Sequence, residues 1–320
     1  MNSASVAAVS VWALLSIATA ATAQEAPVPT RGVIEITVLF PAGSSADVTA
    51  RLLADGMSRR LGNRVIVINR PGGGGAIGYR YVAGQKPDGR SLVWNSNSIS
   101  TTHHMGLLQL DYESFDPIAQ VLVESPAVAV RGDAKWQTLG ALVADGKARP
   151  EGITVGNSGV GSHTHITSVA LFRAAGVRVV DVPFGAAEVI TSLLGSQVDA
   201  VVQLPAALAE HVKSGQVRLL ATIASGRDPA FPDVPTAREL GLDVSLEAWR
   251  GIAAPKGTPK TVIEAYEAAI KDTVASPEFM QACVRLGARP AFLPADAFGR
   301  LIAKEDVELA QLMEIIGLKK

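Results

Sequence analysis

The sequence predicts an α/β protein of two units with parallel sheets, and three observations carry that prediction. Its 320 residues exceed one small domain and suit two. Hydrophobic residues make up 48% and charged residues 18%, far from the composition of a disordered chain. Short β-branched runs alternate with helical patterns along most of the chain, as βαβ units require. Charge and aromatic content exclude some functions at once. Lys+Arg 29 against Asp+Glu 30 gives a net charge of -1, with no basic excess to hold a phosphate backbone. Aromatics at 5% argue against a base-stacking platform. The single cysteine, Cys283, excludes an intrachain disulfide framework and a cysteine-cluster metal site.

Residues 6–20 form an apolar run containing Trp12, Leu14, Leu15 and Ile17. It is shorter than the roughly 20 apolar residues a spanning helix needs. Ala21-Thr22-Ala23 follows with the small-x-small pattern of a cleavage site, so residues 1–23 read as a signal peptide. No Lys or Arg precedes Val6, and a buried N-terminal helix is the alternative. Strands are expected at 33–40, 65–68, 91–94, 153–155 and 198–202, each rich in Val, Ile or Leu. A helix is expected at 46–61, where Leu53, Met57 and Leu61 recur every fourth residue. Cys283, near Phe279, reads as a small buried hydrophobe.

The loops carry the functional information. Phe40-Pro41-Ala42-Gly43-Ser44-Ser45-Ala46-Asp47 joins the first strand to the first helix. Proline ends the strand and glycine lets the chain reverse. Ser44 with Asp47 fits a capping box, in which each side chain bonds the other's backbone N–H. The same helix start presents N–H groups at a positive dipole end, which suits a carboxylate, and cap and anion site can coexist. A second loop, 156–165, repeats the construction with Gly156, Gly159 and Gly161 among Asn157, Ser158, Ser162 and Thr164. No lysine follows its last glycine, so it is not a Walker A loop. Its glycine order is also wrong for a dinucleotide fingerprint. Arg70-Pro71-Gly72-Gly73-Gly74-Gly75 reads as a tight turn rather than a phosphate cradle.

These stretches, with Asn69-Arg70-Pro71-Gly72, Pro87-Asp88-Gly89, Phe115-Asp116-Pro117-Ile118 and Ala254-Pro255-Lys256-Gly257, carry a resemblance in order and spacing over essentially the whole mature chain. The chain resembles the Bug/TctC family, periplasmic solute-binding proteins of tripartite tricarboxylate transporters. The resemblance implies an α/β, two-domain periplasmic-binding-protein (Venus flytrap) fold with two crossovers. It implies capture of a small mono- or dicarboxylate, an aromatic body included, between the domains. Partners would be that carboxylate and the membrane permease components of the transporter, the location the periplasm, and the state a monomer without cofactor, metal or nucleic acid. The ligand-binding residues so implied are Phe40, Gly43, Ser44, Ser45 and Asp47 on one side. Ser158, Gly161, Ser162, His163, His165 and Phe184 form the other. The domains are expected to comprise 24–124 plus 247–320, and 125–246.

Three departures from the family pattern bear on ligand identity. Gly43-Ser44-Ser45 brings an extra hydroxyl that can face the ligand. Val182-Pro183-Phe184-Gly185-Ala186 replaces a segment that often carries Tyr and Lys. The stretch after Trp94, reading Asn95-Ser96-Asn97-Ser98 and then Thr101-Thr102-His103-His104, lacks the usual Asn-Pro turn. Other chemistry was weighed on the same residues. Ser162 with His165 could form a cleft hydrolase, but spacing supplies neither strained elbow nor oxyanion hole. His163 with His165, and His103 with His104, lack the i, i+4 spacing of zinc helices. Trp94 and Trp249 are either pocket walls or core. Arg250 is the nearest cation for a carboxylate, with a surface salt bridge as its default role. A periplasmic sensor is the remaining alternative to transport.

Overall fold

The computed structural model describes Met1, residues 32–185 and residues 188–320. The apolar run at 6–20 and the expected cleavage after Ala23 lie outside the described residues. The described chain opens with β1 (Ile34–Val38), α1 (Ser45–Leu61), β2 (Val65–Asn69), α2 (Ala76–Ala83) and β3 (Ser91–Ser96). It continues through α3 (Ser98–His104), β4 (Phe115–Glu124), β5 (Ala127–Arg131), α4 (Leu139–Ala148) and β6 (Thr154–Asn157). Next come α5 (His163–Ala174), β7 (Val180–Pro183), α6 (Glu188–Leu194), β8 (Ala200–Gln203), α7 (Pro205–Lys213) and β9 (Val217–Thr222). The last elements are β10 (Ala248–Pro255), α8 (Lys260–Val274), α9 (Pro277–Arg285), β11 (Ala288–Pro294) and α10 (Ala295–Ile315).

Two sheets form. One has six strands in the order β11-β4-β10-β3-β1-β2, the other five in the order β7-β6-β8-β5-β9. The expected parallel sheets are in fact mixed. β1 pairs in parallel with β2 and β3, and β6 with β7 and β8. β4, β10 and β11 are antiparallel to their neighbours, as is β5. The reason is connectivity. β4 carries the chain out of the larger sheet through Ser125 and Pro126, and β10 brings it back at the same end, with Ala248 beside Glu124, so the two strands run in opposite directions. The chain thereby passes from the larger sheet to the smaller, and returns between β9 and β10.

Each sheet carries its own core. Trp94, Tyr79, Trp249 and Cys283 are buried in the larger unit, so both tryptophans are core and neither lines a ligand pocket at the loops. The smaller sheet is covered on both faces, with Leu171 and Phe172 in one cluster and Leu193 and Leu208 in the other. A small fourth cluster of Met105, Ile166, Met313 and Ile316 ties the two units together. The glycine run is a tight turn, with Gly73–Gly75 forming one 3₁₀ turn before α2. Gly74 has φ +67, and a Cβ there would stand 2.7 Å from the Val160 carbonyl oxygen of the other unit. Only glycine allows that approach. Arg70 leaves the turn to pair with Glu35 at 3.0 Å and to lie 3.6 Å over the Tyr81 ring.

Candidate anion site between the two sheets

The loops at the C-terminal ends of β1 and β6 have the same construction. Gly43 and Gly161 take φ 79 and 81. Ser44 and Ser162 then cap α1 and α5 with nearly identical backbone angles, φ/ψ -69/159 and -69/156. Each serine N–H donates three residues back, to Pro41 O in one loop and Gly159 O in the other. Each serine hydroxyl accepts from the N–H three residues on, Asp47 at 3.3 Å and His165 at 3.2 Å. The side chains of those residues accept in turn from the glycine N–H, Gly43 to Asp47 at 3.0 Å and Gly161 to His165 Nδ1 at 3.4 Å. The expected capping box is therefore half formed: Asp47 reaches the Gly43 N–H, not that of Ser44.

The consequence is a pair of helix starts aimed at one place. A helix leaves its first N–H groups without intrahelical partners. Ser45 and Ala46 of α1, and His163 and Thr164 of α5, hold those positions and line a common buried cavity. Ser98, Gln203 and Arg250 complete the polar lining. The cavity offers about 20 Å³ to the centre of a water-sized sphere, room for about one water. A second chamber of about 500 Å³ shares Phe40 and Ser158 with it and is walled by Leu107, Val160 and Phe184. Thr101 of α3 donates to Gly161 O across the gap, so the two units touch beside the cavity.

Electrostatics separate frame from lining. Burial works to raise the Asp47 carboxyl, but hydrogen bonds from Arg51, the Gly43 N–H and Asn69 outweigh it and hold it below 3.8. Asp47 thus stands behind the loop with its own partners. Burial, with the Arg250 charge next, pushes His163 down to about 3, so it is a neutral lining residue. Burial also lowers His165, against the pull of Asp181, and raises Asp181 in turn despite a 2.6 Å bond from Ser168. Burial pushes Glu124 up, against the stabilising charge of Arg250 and the hydroxyl of Ser45.

Of the residues singled out in the sequence, Phe40, Ser44, Ser45, Ser158, Ser162 and His163 line the inner cavity. Gly43, Asp47, Gly161 and His165 build the loops behind it, and Phe184 lies in the outer chamber. The hydroxyls are largely committed: Ser45 donates to Glu124, and Ser158 exchanges bonds with Gln203. The extra hydroxyl of Ser45 therefore faces Glu124. The Ser162 hydroxyl bonds the backbone of His165 and the hydroxyl of Thr164, which is a helix cap and not a nucleophile with its base. His104 turns instead to Asp306 and His103 to Leu110 O. Arg250 overturns the surface reading outright. It is 4% exposed and donates through Nε to Glu124 Oε2 at 3.3 Å. Strand alternation explains this: Trp249 faces Phe298 at 5.0 Å in the core, so Arg250 points the opposite way. Gln203 had no sequence cue beyond its polarity, and Ser98 only its place in the stretch that departs from the family pattern.

Two α/β units with paired helix starts facing a buried cavity define the periplasmic-binding-protein fold and a solute-binding protein. Residues 49–318 match the family described as the tripartite tricarboxylate transporter family receptor, and the chain belongs to that family. Protein BugT of Bordetella pertussis is 32% identical over 292 residues, covering 89% of this chain and 90% of BugT. The structure of the periplasmic binding protein BugD superposes with a TM-score of 0.84 at 30% identity, over 90% of this chain and 98% of BugD. MatC from Rhodopseudomonas palustris, solved with bound malate, gives a TM-score of 0.80 at 26% identity, over 88% and 98%. The family is one of receptors and BugD is a periplasmic binding protein, and this chain is a solute-binding protein of the same family, not an enzyme. No described helix is long and apolar enough to cross a membrane.

Proposed function

We propose that this protein captures a small carboxylate between two lobes, 24–124 plus 247–320 and 125–246, and delivers it to the permease of a tripartite transporter. It acts in the periplasm, after removal of residues 1–23. The observation that carries this reading is the convergence of two capped helix starts and Arg250 on one cavity. Unpartnered N–H groups at a positive helix end favour an anion, and two such ends clasp it from both sides. The malate bound to MatC supports a carboxylate in a relative of the same fold. A space of about one water is too small for such a ligand. Entry therefore requires the lobes to part about the two connections near Glu124 and Glu247, and binding closes them.

A thermal-shift screen of mono- and dicarboxylates, with neutral sugars and amines as controls, tests the reading. A ligand at 100 times its Kd adds about 2.7 kcal/mol of stability, a readily measured rise in melting temperature. At least one carboxylate should produce that rise. Stronger stabilisation by a sugar or an amine than by any carboxylate would refute it.

A further inference from the structure

Among the described residues lining the cavity Arg250 is the one Lys or Arg, and its hydrogen bonding is incomplete. Arg250 sits near the start of β10, opposite Ser96 of β3 and Leu122 of β4. Its guanidinium uses Nε for Glu124, while Nη1 and Nη2 make no hydrogen bond among the described residues. The side chain is more than nine-tenths buried and lines the cavity between the helix starts. The two idle Nη groups are not sealed from solvent, and the side chain lines the cavity, so they are free to donate to a group that enters it. Glu124 is fully buried beneath it, with its other oxygen taking the Ser45 hydroxyl. Phe40 lies with its ring centroid 5.9 Å from the guanidinium, within cation–π distance.

Resting on the cleft reading above, we propose that Arg250 is the ligand's charge-selecting anchor. Its Nη1 and Nη2 fork takes one carboxylate of the ligand, while Glu124 and Ser45 hold the guanidinium from behind through Nε. The planar fork matches a carboxylate in two parallel bonds, which neither a lysine nor a backbone N–H reproduces. Arg250 thus distinguishes an ionised carboxylate from its neutral amide. The first-turn N–H groups of α1 and α5 then donate to the remaining lone pairs of that carboxylate and to any further polar group of the ligand. Glu124 offsets the cation in the empty site and competes with the ligand for it.

The test compares wild type, Glu124→Gln and the double variant Glu124→Gln/Arg250→Met, each titrated with malate and benzoate beside malamide and benzamide. Removing both charges together avoids leaving either one buried alone, and melting of the ligand-free protein reports whether each variant folds. Wild type should prefer at least one carboxylate over its amide. The folded double variant should lose about ten- to a hundredfold of that preference, the worth of hydrogen bonds to a charged group. Retention of the wild-type preference by the folded double variant overturns the assignment. Glu124→Gln keeps an acceptor for Nε and removes the competing charge, so its carboxylate affinity should equal or exceed that of wild type. A fall in that affinity overturns the assignment even where the double variant does not fold. Absence of binding of both carboxylates to wild type overturns the assignment of Arg250 as their anchor, while the cleft reading stands or falls on the thermal-shift screen.

Discussion

His163 and Glu305 face one cavity of about 210 Å³ behind the anion site, together with Asn97, Glu247 and Glu308. Burial drives them in opposite directions. His163 is pushed from 6.5 down to about 3. Glu305, despite bonds from Trp249 Nε1 and Asn97 Nδ2, is pushed from 4.5 up to about 7. As pH falls through 6.5 the unfolded chain gains a proton at His163 that the folded chain refuses until about 3, so stability is lost on acidification. Glu305 holds a proton in the folded chain that the unfolded chain releases above 4.5, so its contribution is lost as pH rises toward about 7. Each unmatched proton is worth about 1.4 kcal/mol per pH unit, and the two slopes oppose each other between 4.5 and 6.5. Glu305→Gln should therefore make the ligand-free melting temperature drop more steeply than wild type as pH falls across that window. His163→Gln should reverse the trend relative to wild type. Parallel pH profiles for all three proteins would show that neither group titrates as its burial requires. At this scale the sequence was least informative. Phe40, Ser158 and His163 are legible as ligand-binding candidates, whereas Arg250 reads as the nearest cation for a carboxylate with a surface salt bridge as its default. Its burial depends on which face of β10 it occupies, and a strand buried along all eight of its residues shows no alternation to read.

The two helix starts are one device used twice, and their serines have the same duty. The sequence invited a contrast, with Asp47 as the capping partner and the Ser162 hydroxyl as a ligand donor. In the fold Ser44 and Ser162 both accept from the N–H three residues on. Ser44→Ala and Ser162→Ala should each lower the stability of the ligand-free protein by about 0.5–2 kcal/mol, the usual worth of such a cap. Chemical denaturation measures this directly. Unchanged stability in Ser162→Ala would return that hydroxyl to the ligand. Elements with a clear local pattern were legible: α1 at Ser45–Leu61 begins one residue before the expected 46–61. The terminating glycine, Gly62 at φ 62, fixes its other end. The short α3 was not legible, because Ser98, Ser100, Thr101 and Thr102 read as a polar turn. Burial between the two units makes it a helix, with Thr102 bonding back to Ser98 O at 2.6 Å.

At the scale of the whole molecule, two sheets with separate cores meet through few connections. The outward one is Ser125 and Pro126, and the return follows β9. The contacts that bring the lobes together are local, among them the Met105–Ile166–Met313–Ile316 cluster, the Thr101 bond to Gly161 O, Gly74 against Val160 O, α1 against α7, and Gly287 beside Pro205 and Phe231. Such an interface can open without unfolding either core, which is what a capture cycle requires. The two-unit α/β architecture was legible from length and alternation, whereas the antiparallel strands were not, since their direction is set by how the chain crosses between sheets. Capture of a carboxylate between the lobes, against the helix starts, is open to direct observation. The most direct measurement is a crystal structure of the protein with the most stabilising carboxylate from the thermal screen. The account predicts that carboxylate against the first-turn N–H groups of α1 and α5, with Arg250 Nη1 and Nη2 within hydrogen-bond distance. A ligand seated instead in the groove of about 510 Å³ beside Arg173 and Arg238, with none between the lobes, would contradict it.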